Sequence, residues 1–149
     1  MVDVAGKAPT ARRAVAEATL RLDASVRDLV LRGALPKGEA LAVARLAGIQ
    51  AAKDTARLIP LCHTLPLAHV GIEFAAVGDD AIHVTAEAST VAATGVEMEA
   101  LVAASVAALA LYDMVKGRCR GAEIQAVRLL AKSGGRSGEW RRSAAGGSA

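Results

Sequence analysis

The sequence predicts an α+β domain: a four-stranded antiparallel sheet with long helices packed on one face, in a split β-α-β order. Three observations carry this expectation. Two apolar-periodic segments of helical length are separated by a hairpin whose strands alternate apolar and polar residues. A further alternating segment lies before the first helix and another after the second. Between Glu99 and Asp113 run thirteen residues, Ala100 to Tyr112, without a charge. They span about 20 Å as a helix, which suits a buried core element and falls short of a membrane crossing.

The elements follow in order. A polar opening from Asp3 to Thr10 leads to a strand within Arg13–Leu22, where Leu20 and Leu22 alternate with Thr19 and Arg21. Ser25 is the expected N-cap of a short helix reaching about Arg32, which Gly33 and Pro36 end. The first long helix is expected from about Glu39 to Leu58, on a stripe of Val43, Leu46, Ile49 and Ala52. Pro60 closes it, and prolines on both sides stiffen the loop Leu61-Cys62-His63-Thr64-Leu65. In the hairpin, Val70, Ile72, Phe74 and Ala76 pair with Ile82, Val84 and Ala86 across a turn at Gly78-Asp79-Asp80. The central helix runs from Glu97 to near Gly117, and a last strand spans Ile124 to Leu130, with Val127 and Leu129 facing one way. This β-α-β-β-α-β order is the ferredoxin-like arrangement. One domain is expected over residues 1–140, with 141–149 a disordered tail of Arg, Ser, Ala and Gly.

The 149 residues are 53% hydrophobic, yet contain one Phe, one Tyr and one Trp, so the core is built from Ala, Val, Leu and Ile. Such a core suits close helix packing and large subunit interfaces. The net charge of +3 fits a phosphorylated small molecule and is too weak to argue for nucleic acid. The scarcity of aromatics for base stacking also counts against an RNA-binding role. Two cysteines without metal-ligand spacing, and no apolar signal segment at Met1-Val2-Asp3-Val4, point to a reducing, cytoplasmic compartment.

The chemistry-bearing residues collect at the two ends of the central helix. Glu97 and Glu99 stand in its first turn, where acids routinely offset the helix dipole. Gly95 just before them would let a ligand approach the backbone amides. At the far end Asp113 and Lys116 lie three apart on one face, which by itself is an ordinary surface pair. Asp113, however, follows an apolar run at a helix C-terminus. Partial burial there would tighten its hold on a proton and suit acid–base work. His63 fits a hydrogen-bonding or proton-transfer role better than zinc ligation, since Cys62-His63 has no second pair. His69 and His83 have no such setting. The segment Lys132-Ser133-Gly134-Gly135-Arg136-Ser137-Gly138 can cradle phosphate oxygens or be a plain loop, and Lys37 is a further cation beside a glycine. Glu99 and Asp113 are about 21 Å apart along the helix, so one compact site cannot use both ends of one copy. A symmetric homo-oligomer with sites shared between subunits satisfies both ends.

Six segments carry a resemblance: Met1-Val2-Asp3-Val4, Ala47–Lys53, Leu58–His63, Thr94–Leu101, Tyr112-Asp113-Met114 and Val127–Gly135. In this order they resemble the MoaC family, the cyclic pyranopterin monophosphate synthases of molybdenum-cofactor biosynthesis, from Met1 to about Gly138. The resemblance implies a ferredoxin-like subunit in a hexamer, a trimer of dimers, with active sites at subunit interfaces. It implies a lyase acting on a cyclised GTP derivative made by a radical-SAM cyclase, yielding cyclic pyranopterin monophosphate and diphosphate. By motif position Asp113 would be the catalytic acid–base residue, with Lys116, Lys37 and His63 beside it in the chemistry. Leu61, Cys62, His63, Met98 and Glu99 would line the substrate pocket, with Glu97 and Lys132 in or near it. Arg136, with Lys37 and Lys132, would stabilise the departing diphosphate, and mutual repulsion among these cations would ready one lysine as a proton donor.

No metal or other cofactor is required by the sequence, although Mg²⁺ would be compatible with a triphosphate. Ala93 stands where many relatives carry Lys, and Val115 and Gly117 where Cys and Ala are usual. The competing reading is a non-catalytic ferredoxin-like sensor that binds a nucleotide or pterin.

Overall fold

The computed structural model describes residues 1–143. Its elements are β1 (Thr10–Arg21), α1 (Ala24–Leu31), α2 (Ala40–Lys53), α3 (Thr55–Leu58), β2 (His69–Val77), β3 (Ala81–Ala92), α4 (Glu97–Val115), β4 (Glu123–Ser133) and β5 (Trp140–Arg141). All strand pairs are antiparallel, in the order β2-β3-β1-β4-β5. The first four make the expected ferredoxin-like sheet, and the short β5 extends its edge.

Alternation decides which face is covered. On β1 the inward residues are Ala14, Ala16, Ala18 and Leu20; on β3 they are Ile82, Val84, Ala86 and Ala88, all buried. The α4 residues Ala100, Ala103, Ala104, Ala107 and Leu111 are buried in the same core. Methyl groups from both layers let α4 lie close across β1 and β3. Helix α2 also approaches α4 closely: a Cβ added at its Gly48 would overlap Ile72 Cδ1 and stand 2.8 Å from Ala103 O and 3.1 Å from Ala107 Cβ. The opposite sheet face is polar. Its centre is the buried Glu17, which accepts from Arg128 Nε and lies 2.6 Å from His83 Nε2. Beside it Arg13 grips Glu87 bidentately, both bonds 2.6 Å.

Several boundaries differ from expectation for local reasons. β1 begins at Thr10, since its alanine half is strand as well. The N-cap of α1 is Asp23, not Ser25: the Asp23 carbonyl receives the amides of Val26 and Arg27, without a side-chain cap. The first long helix stops at Lys53, because Asp54 leaves helical geometry at φ −96, ψ 6. Thr55 bonds its hydroxyl back to Ala51 O at 3.4 Å, and the chain restarts as the single turn α3. β4 is longer than expected and irregular. Its register against β1 shifts twice, and Ala126 takes a left-handed φ of 53. Val127 therefore does not share an inward face with Leu129; it is 44% exposed, while Leu129 packs on the core. At the end of the described chain Arg141 pairs with Ala131, and the Arg142 amide donates to Leu130 O at 2.8 Å. The rest of the expected tail, from 144, lies outside the described residues.

Candidate active site

Helix α4 presents a cavity at each end. At its C-terminus an open cavity of about 690 Å³ is lined by Leu35, Pro36, Lys37, Asp113, Lys116 and Arg118, among others. Lys37 arrives from the α1–α2 loop, which is anchored by the buried Leu35 and turned by Gly38 at φ +104. Its Nζ donates to one Asp113 carboxylate oxygen and, at 3.0 Å, to the Asp113 carbonyl. Lys116 Nζ holds the other carboxylate oxygen at 2.7 Å.

This geometry overturns two expectations. The Asp113 side chain is 52% exposed rather than buried. Hydrogen bonds from Lys116 and then Lys37 pull its carboxyl down from the ordinary 3.8 to about 2. Asp113 is thus a carboxylate at any physiological pH. The hydrogen bond to Asp113 raises the Lys116 pKa, so Lys116 stays cationic.

The N-terminus of α4 carries two adjoining cavities. The larger, about 660 Å³, is lined by Lys7, Arg12, Thr94, Glu97, Lys132 and Arg136, with the Gly134-Gly135 turn. Lys132 Nζ donates to Glu97 Oε1 at 2.8 Å; burial, the largest single influence, pushes the Glu97 pKa up, but the Lys132 bond, the residue's own backbone amide and the Lys132 and Arg12 charges together outweigh it and leave the pKa lowered. Arg12 donates through Nε to Ala92 O at 3.3 Å and through Nη2 to Ala93 O at 3.4 Å. Gly134 and Gly135 take φ of 101 and 72 directly over Arg12, where a Cβ on Gly135 would overlap its guanidinium. The turn therefore needs glycine twice over: for its backbone angles and for its nearness to a cation.

The smaller cavity, about 440 Å³, is lined by Leu61, Cys62, His63, Glu97, Met98 and Glu99, among others. It shares Lys7, Thr94, Gly95 and Glu97 with its neighbour. Glu99 is 4% exposed, and burial, with a smaller push from Glu97, raises its pKa above the ordinary 4.5. Burial, then Glu99, also raises the Cys62 thiol, which disfavours a nucleophilic thiolate there. Among the described residues no three of His, Cys, Asp and Glu are grouped so as to hold a metal ion.

All the residues singled out from the sequence therefore line cavities, but in two sets. Asp113, Lys116 and Lys37 meet at one end of α4. Leu61, Cys62, His63, Met98, Glu99, Glu97, Lys132 and Arg136 meet at the other. His63 and Asp113 are not neighbours within one chain. Gly95 lines both cavities at this end. The space over it is filled by the Glu97 carboxylate, whose Cδ would stand 2.7 Å from an added Cβ. Sequence reasoning missed Lys7, Arg12 and Thr94. Arg12 left a usable signal, since it shares strand parity with the inward Ala14, Ala16 and Ala18; Lys7 left none.

Comparison with known proteins identifies the family. Residues 1–135 match the MoaC family. A cyclic pyranopterin monophosphate synthase of Novosphingobium aromaticivorans is 52% identical over 141 residues, covering 95% of this chain and 89% of the relative. Another, of Chloroflexus aggregans, is 49% identical over 143 residues, covering 95% and 87%. The chain belongs to the MoaC family.

Proposed function

We infer that the protein is a cyclic pyranopterin monophosphate synthase: a lyase of molybdenum-cofactor biosynthesis that converts a cyclised GTP derivative to cyclic pyranopterin monophosphate and diphosphate. The observation that carries the residue roles is the split donor set, Asp113 with its cations at one end of α4 and Glu97 and Glu99 with a second group of cations at the other. Environment pushes Asp113 and Glu99 in opposite directions. Asp113 is held ionised and serves as the base; Glu99, desolvated beside Cys62 and His63, is the better holder of a proton and serves as the acid. In ring opening and pterin closure, Asp113 accepts and Glu99 returns protons, with His63 on the same wall as Glu99.

In the phosphate step a sugar hydroxyl attacks the α-phosphorus. The new P–O bond closes the cyclic phosphate, the α–β bridging bond breaks, and diphosphate leaves with the electron pair. The hydroxyl proton goes to the base. Lys116 and Lys37 at one end, and Lys7, Arg12, Lys132 and Arg136 at the other, stabilise the phosphate charge. Both ends serve one reaction only if two copies build each site, so the working form is a symmetric homo-oligomer, a hexamer made as a trimer of dimers. It works in the cytoplasm beside the radical-SAM cyclase that supplies its substrate.

The test is to give the purified protein the cyclised GTP derivative and follow cyclic pyranopterin monophosphate and diphosphate. Stoichiometric appearance of both is expected. Binding without product would instead favour a sensor.

A further inference from the structure

The glycine turn beside Lys132 and Arg136 has little to stiffen it from within. Ser133 to Glu139 form the tip of the hairpin that joins β4 to β5, with Arg136 at its middle. Gly134, Gly135 and Gly138 take φ of 101, 72 and 61, angles that glycine adopts and leaves with little cost. One turn bond crosses the tip, from the Gly138 amide to Gly135 O at 3.2 Å. On the outgoing side the tip is fixed by β1, since Ser133 pairs with Arg13. On the return side it is fixed by β5, where Trp140 pairs with Lys132 and Arg141 with Ala131. A strand of two residues is marginal by itself. Arg142 reinforces it. Its amide donates to Leu130 O at 2.8 Å and its Nε to Leu129 O at 2.7 Å, while its guanidinium lies over the Trp140 ring, 5.7 Å from the centre. Arg142 thus ties the returning chain to two successive carbonyls of β4. Neither Trp140 nor Arg142 lines the cavity beside the turn.

We propose that Arg142 and Trp140 are positioning residues for the phosphate site, a clasp that keeps the Gly134–Ser137 turn over Arg12 with Arg136 and Lys132 at the spacing that binds diphosphate. With the clasp open the glycines let the tip disperse, and Arg136 leaves the cavity wall that it shares with Lys132 and Arg12. The site then binds phosphates in the fraction of molecules whose tip is in place, and affinity falls by that fraction. One bond from a charged donor changes such a fraction by about tenfold. The effect falls on binding and spares the chemistry at Asp113, at the other end of α4.

The proposal rests on the reading that this cavity takes the substrate's phosphates, and its test keeps the two ideas apart. Arg142→Met removes the Nε bond and the guanidinium from an exposed edge, so the melting temperature should hold within about 2 °C. Amide hydrogen exchange over residues 133–142 should quicken about tenfold. KM for the cyclised GTP derivative should rise about tenfold with kcat within about twofold, and Arg142→Lys should recover most of the loss. Trp140→Gly changes no charge, so a similar rise in KM there separates positioning from lost electrostatic attraction. Combined with Arg136→Ala, Arg142→Met should raise KM by less than the product of the single effects, because it acts through the turn that carries Arg136. Unchanged exchange, an unchanged KM in either clasp variant, or fully multiplicative effects would overturn the proposal. If wild type yields no cyclic phosphate, the assigned activity falls, and calorimetry with inorganic diphosphate decides the clasp. About tenfold weaker binding to Arg142→Met would then uphold it, and equal binding would overturn it.

Discussion

Replacing Gly95 with Ala should damage substrate binding while leaving stability nearly unchanged. The new Cβ would overlap Glu97 Oε2 and stand 2.7 Å from its Cδ and 3.0 Å from its Oε1. Gly95 is not among the residues with positive φ, so its backbone accepts Ala. The obstacle is the tip of a flexible side chain, which swings away and gives up its 2.8 Å bond to Lys132. Both side chains of that pair keep some solvent, 28% and 33%, so its loss costs up to about 1 kcal/mol. The narrower unfolded ensemble of Ala returns about 0.4–1 kcal/mol. The two nearly cancel, and the melting temperature should move by less than about 3 °C. Binding has no such compensation. Lys132 loses its anchor, and the Glu97 carboxylate turns into the cavity that would hold phosphates. At a distance of ~6 Å and partly screened, that repulsion is on the order of 1–3 kcal/mol, or roughly a 10- to 100-fold rise in KM. Steady-state kinetics beside calorimetry decides the matter. An unchanged KM, or a melting temperature lowered by more than about 10 °C, would refute the reasoning.

Four further outcomes are expected. Asp113→Asn should abolish turnover with the assembly intact; because the native carboxyl titrates at about 2, the wild-type pH–rate profile should show no acidic limb from Asp113 above about pH 3. Glu99→Gln should lower turnover yet raise the melting temperature at neutral pH. The folded-state pKa of Glu99 lies above its unfolded value of 4.5, so ionisation weakens the fold as pH rises through that interval; the gain should be full above the interval and vanish below it. Gly48→Ala should destabilise by about 1–2 kcal/mol: the ~1 kcal/mol helix-propensity gain is outweighed by a clash with Ala103 O that backbone cannot relieve, and a stabilised variant in denaturant melts would contradict this. Inactive Glu99→Ala and Lys116→Ala proteins, unfolded and reassembled together, should regain part of the activity, since a mixed pair retains one site with both ends intact; a mixture as inactive as its parents would exclude shared sites.

The sheet order was legible because alternation survives wherever Val, Ile and Leu mark one face, as in β2 and β3. It faded in β1, where Ala14, Ala16 and Ala18 do the inward work that larger side chains do elsewhere, and so the start of the strand and the inward Arg12 both escaped notice. The break after Lys53 depends on Thr55 competing for a carbonyl, which no periodicity reports. In the site, spacing along α4 was enough to separate the two half-sites. The charge state of Asp113 differs from expectation because its side chain is exposed and held first by Lys116, its neighbour on the helix, and then by Lys37, distant in sequence and delivered by a loop. The residue types were readable in the sequence; the exposure and the second cation were not.

The alanine-lined contact between α4 and the sheet sets how this protein responds to change. In most cores the damaging substitutions are truncations, which leave a hole. Here the side chains at the closest approach, such as Ala16, Ala18, Ala86, Ala103 and Ala107, are fully buried and have almost nothing to lose. Any gain in size must lift the helix off the strands, at about 1–3 kcal/mol or more for each methylene-scale intrusion. Because α4 carries functional residues at both ends, lifting it also moves both half-sites. Enlargement at its middle is therefore the direction in which stability and activity should fail together.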